Sequence, residues 1–126
     1  MKIYELFYSW YEEYVPYLFL APHPLSEREW RSICDQMVPE AIKWLLSKEE
    51  YKDRHIGWSD IVERMVKMLE ERKFTRVTPI QAGYFGANIL AGWNEWLEPK
   101  RDQSDKLIPD PLWEKIHDHN RAIAER

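Results

Sequence analysis

Apolar and polar residues alternate along this chain with two different periods, and the changes of period mark out its elements. Strand formers crowd together in Lys2-Ile3-Tyr4-Glu5-Leu6-Phe7-Tyr8, yet Tyr4, Phe7/Tyr8, Tyr11 and Tyr14/Val15 also fit helical spacing. Pro16 would break a helix here, and that helix would be aromatic almost all round. The segment therefore predicts a hairpin with strands near 2–10 and 14–21 and a turn at Tyr11-Glu12-Glu13. The turn lacks the Asn-Gly or Asp-Gly pair of a tight hairpin.

Pro22-His23-Pro24 forces an extended link, and Ser26-Glu27-Arg28-Glu29 then reads as a capping box. Trp30, Ile33, Cys34 and Met37 follow on one helical face. Pro39 should kink or restart the helix, whose second half carries Ala41, Ile42, Trp44, Leu45 and Leu46 before a charged stretch from Ser47 to Arg54. A further helix opens at Gly57-Trp58-Ser59-Asp60, with Ser59 as N-cap and Asp60 favourable in its first turn. Ile61, Val62, Met65, Val66 and Leu69 form its apolar stripe, the clearest in the chain. Phe74 to Ile80 reads as a strand with Pro79 marking an edge or bulge, and Gly83 to Leu90 as its continuation or a second strand.

After Gly92, Trp93 and Trp96 stand one helical turn apart. The charged stretch from Glu98 to Asp110, with Pro99 and Pro109, reads as a surface linker. Asp110-Pro111 then starts a last helix with a thin stripe of Leu112, Trp113, Ile116 and Ile123. The expected fold is α+β: a small antiparallel sheet of three or four strands, made by the N-terminal hairpin plus a later strand, with helices packed on one face and a C-terminal helical extension. Residues 1–97 would form one compact domain. Residues 98–126 would be a polar linker and an amphipathic helix that packs back on it or reaches a partner chain.

Composition narrows the function classes. Among 126 residues, 18 are Lys or Arg and 22 Asp or Glu, a formal charge of −4 that argues against general nucleic-acid binding. The 44% hydrophobic content and seven Trp exclude a disordered chain. One Cys excludes a disulfide-stapled scaffold and points to the reducing cytoplasm. The most apolar run, Val15 to Pro22, has eight residues where a membrane span needs about 20, and acidic residues precede it where a signal peptide would be basic. Neither export nor a membrane partner is expected.

Lys2 to Glu13 followed by Tyr17-Leu18-Phe19 resembles a family of small uncharacterised proteins from Bacillus- and Geobacillus-type bacteria and their phages. Those proteins also tend to carry a Tyr-Phe-Gly-like or Phe-Phe-Gly-like segment late in the chain, as at Tyr84-Phe85-Gly86. The resemblance covers about residues 1–90 and implies the order hairpin, helices, strand. Its motifs are aromatic and structural, and it brings no activity, cofactor or site residue with it.

Few residues suggest chemistry. His117-Asp118-His119 is the most metal-like cluster, but residues i and i+2 on a helix point about 200° apart, and a third ligand such as His23 or His55 would have to come from elsewhere. Cys34 lies on an apolar face, where a thiol behaves as a small core residue. Gly83-Tyr84-Phe85-Gly86 fits neither a phosphate-binding loop nor an RNA-recognition signature. The doublets Glu12/Glu13, Glu49/Glu50 and Glu70/Glu71 read as solvated surface.

The aromatic surplus carries more weight, since eight aromatics fall in the first 21 residues and alternate onto both faces of the hairpin. One helical layer covers only one face; the other needs another element, a second copy or a partner. The expected function is a non-catalytic protein-interaction module that associates with itself or with another protein, in the manner of a phage-derived accessory factor. It would use no cofactor, and its surface would comprise Tyr4, Tyr8, Trp10, Tyr11, Tyr14, Tyr17, Tyr84 and Trp113. One alternative is a metal- or small-ligand-binding enzyme using His117 and His119. Another is a single-strand nucleic-acid binder that stacks bases on Trp and Tyr beside Arg28, Arg31, Lys43, Arg72, Lys73 and Arg76.

Overall fold

The computed structural model describes residues 3–10, 13–78, 88–94 and 110–126, with the backbone alone at 8–10, 13–15, 88–94, 110 and 113. The hairpin forms as expected from β1 (Ile3–Trp10) and β2 (Glu13–Leu20). Tyr4 pairs with Phe19 and Trp10 with Glu13, so two residues separate the strands; both lie outside the described residues. The helix α1 (Glu27–Ser47), a single 3-10 turn (Glu49–Tyr51), α2 (Trp58–Glu71) and the short β3 (Thr75–Val77) follow. Then come β4 (Asn88–Asn94) and α3 (Asp110–Ala124).

The sheet order is β3-β2-β1-β4. The first three strands are antiparallel, and β4 lies parallel to β1 along its length, from Ile3 opposite Asn88 to Ser9 opposite Asn94. A period-2 pattern specifies faces but not neighbours or their direction, so the parallel edge was not readable from it. Trp93, spaced one helical turn from Trp96 in the sequence, belongs with Gly92 to β4. The Pro79 bulge, the Gly83–Gly86 segment and Trp96 lie outside the described residues.

Local chemistry accounts for the helix boundaries. Ser26 Oγ accepts the Glu29 N–H at 3.1 Å and Glu29 Oε1 accepts the Ser26 N–H at 3.1 Å, which completes the expected capping box of α1. Pro39 neither ends nor restarts this helix, which runs unbroken to Ser47. The proline has no N–H for the Asp35 carbonyl one turn back, and its half-buried ring sits away from the core. In α2 the start falls two residues earlier than expected: Gly57 is the N-cap, and Asp60 Oδ2 accepts its N–H at 2.9 Å. This shift brings Trp58 into the helix, where it is buried with the expected stripe. The helix ends in a Schellman motif, with Phe74 N–H bonded to the Leu69 carbonyl and Lys73 N–H to Glu70, both at 3.1 Å. Lys73 takes the left-handed φ of 71° that this turn requires.

The core lies between one sheet face and the α1–α2 pair. Tyr4, Leu6 and Phe19 meet Trp30, Met37, Ile42, Val62, Met65 and Leu69 there. Trp30 is completely buried, with its ring 5.5 Å from Tyr4 (edge-on), 6.4 Å from Phe19 and 5.8 Å from Phe74. Its indole N–H donates to the Glu5 carbonyl at 3.3 Å. Tyr4 donates its hydroxyl to the Leu25 carbonyl at 3.0 Å and accepts the Leu25 N–H at 2.7 Å, anchoring the link that enters α1.

Two substitutions test this account. Tyr4→Phe leaves two buried backbone groups of Leu25 without a partner and should cost about 1–3 kcal/mol in urea denaturation. Lys73→Gly removes the Cβ conflict of a left-handed residue and should add about 0.5–1 kcal/mol to stability, after the added flexibility of the unfolded chain is offset.

Candidate functional site

The hairpin divides along its length. At its Ile3–Leu6 and Leu18–Phe19 end both faces are buried. The register sets Tyr4 beside Phe19 on the core face and Glu5 beside Leu18 on the other. Ile3, Leu18 and Glu5 on that second face are only 0%, 6% and 7% exposed, so this end is covered within the single chain. Exposure then increases, with Phe7, Pro16 and Tyr17 half-buried. β3 reaches only Leu18, Phe19 and Leu20, which leaves β2 without a β3 neighbour from Glu13 to Tyr17. Among the described residues no strand pairs with this stretch on its other side; Pro16 lies in it opposite Phe7 and has no N–H to donate to a neighbour there. The edge is thereby poorly suited to adding a further strand, and contacts there would fall to side chains.

Of the residues expected to form an interaction surface, Tyr4 is corrected. It is 2% exposed and holds Leu25, because the alternation that put aromatics on both faces also sent Tyr4 toward Trp30. Tyr17 is half-buried beneath the Arg76 guanidinium, 5.0 Å from its ring centroid, and burial pushes its phenol up, helped by Glu63 and opposed by Arg76. Tyr8, Trp10 and Tyr14 lie on the outer half of the hairpin, where the backbone pairs Tyr8 with Val15 and with Trp93. Trp113 lies in the first turn of α3, and its side chain, like all of Tyr11 and Tyr84, lies outside what the structure describes.

The histidines have other placements. His119 Nε2 donates to the Arg54 carbonyl at 2.7 Å, and His117 is exposed on the same helix. Among the described residues no three His, Cys, Asp or Glu side chains are grouped to hold a metal ion. Asn120 sits beside His119 and makes two bonds to the Ile56 backbone: its Oδ1 accepts the N–H at 2.8 Å and its Nδ2 donates to the carbonyl at 2.9 Å. Arg126 pairs with Asp53 and holds that carboxyl below the usual aspartate range. With Leu112 and Ile116 buried in the core, these contacts dock α3 against α1 and the 53–56 segment. Nothing in the sequence marked Asn120 or Arg126, since a side chain that reads another segment's backbone has no local pattern.

Cys34 is fully buried; desolvation, then the neighbouring Asp35, push its thiol up against the opposing pull of Arg31 and Arg72. A thiol in that state is a poor nucleophile. Trp44 is half-buried between two cations, with Arg64 4.1 Å and Lys48 4.8 Å from its ring.

Along the outer side of α1 runs an open groove of about 750 Å³, lined by Arg28, Arg31, Ser32, Asp35, Gln36, Pro39 and Glu40. Glu40 is 3.5 Å from Arg72. Among the described residues, Arg28 and Arg31 have no ion-pair partner within 4 Å, and Asp35 Oδ1 is buried without a hydrogen bond. Burial raises the Asp35 carboxyl, and Arg31 partly offsets the shift. Of the other basic candidates, Lys43, Lys73 and Arg76 are exposed at separate places on α1, after α2 and on β3. No protein-family model, curated protein or solved structure matches the chain. No helix among the described residues is long and apolar enough to cross a membrane.

Burial also pushes the Glu5 carboxyl up from its ordinary value of 4.5. A raised folded-state value means that the charged form weakens folding: the cost is absent below about pH 4.5 and grows as pH rises through the shifted value. Glu5→Gln should therefore stabilise the protein at pH 7, with the gain shrinking toward pH 4 in urea titrations across that range.

Proposed function

We propose that this chain is a non-catalytic interaction module that associates with copies of itself through the outer half of its N-terminal hairpin. The observation that supports this most is that the aromatic pattern of the sequence continues beyond the strand positions described as buried. Burial decreases at Phe7 and Tyr17, whereas the run of large aromatics goes on through Tyr8, Trp10, Tyr11 and Tyr14. A Trp or Tyr presents about 150–250 Å² for burial, and these residue types are enriched at the centres of protein interfaces. Pro16, without an N–H for a further strand, favours contact between side chains over the open-ended addition of strands.

Sedimentation velocity over a range of protein concentrations tests it. The wild-type chain should form a discrete oligomer as concentration rises. Trp10→Ser/Tyr14→Ser should weaken that association about tenfold or more while leaving the far-ultraviolet circular dichroism intact. A wild-type chain that remains monomeric at about 100 μM would overturn the reading, because an interface weaker than that falls below the usual range of specific association.

A further inference from the structure

We draw no further inference here: the strongest candidate, the open groove along the outer side of α1 where Asp35 Oδ1 is buried without a hydrogen bond, carries none because basic and acidic side chains are interspersed along it, Glu40 is already paired with Arg72, and nothing in the structure shows what covers it.

Discussion

The burial of Trp30 is the constraint on which the rest of the arrangement depends. Its ring meets the sheet, through Tyr4 and Phe19, and the entry to β3, through Phe74. An indole that is completely buried needs a partner for its N–H, and the Glu5 carbonyl provides it from the central strand. That bond sets the height of α1 above β1. Capping at Ser26 then fixes where α1 begins, and Tyr4 holds Leu25 from the other side, so the link between sheet and helix is fastened at both ends.

Centrality of β1 has a second consequence. At its Ile3–Leu6 end this strand has neighbours on both sides and cover on both faces, and Glu5 is therefore a carboxyl within a buried row beside Leu18. The parallel partner β4 is consistent with this environment, since parallel pairing is found mainly where both faces are covered. The hairpin's outer half has a different character. There the described pairing with β3 has ended at Leu18, and Pro16 faces Phe7 within the pair with β1. The same eight-residue strands thus serve the core at one end and provide the proposed contact surface at the other.

The last helix is held by groups that recognise backbone. Asn120 satisfies both polar groups of Ile56, and His119 satisfies the Arg54 carbonyl, in a segment that has no regular secondary structure of its own. Backbone groups of a partly buried connection need such partners. Leu112 and Ile116 supply the apolar part of the contact and join the same core as α1 and α2. The C-terminal helical extension is therefore a structural brace, and its two histidines have different surroundings because positions i and i+2 face different sides of a helix.

Much of this was legible in the chain itself. The Ser26–Glu29 box, the stripe of α2, the Asp110-Pro111 start and the hairpin are set by interactions within a few residues, and those are what periodicity and capping chemistry report. The core positions of Cys34, Trp30 and Met37 follow from one helical face. Tertiary structure alone decided the rest. It carried α1 through Pro39, because packing of the opposite face outweighs one missing hydrogen bond. It placed β4 parallel to β1, turned Tyr4 inward, and recruited Asn120 and Arg126 to the 53–56 segment. The contacts of Tyr4, Trp30, Asn120 and Arg126 reach partners 21 to 73 residues away in the chain. The free energy that selects them belongs to packing and to satisfying buried backbone groups, and a local pattern holds no record of either.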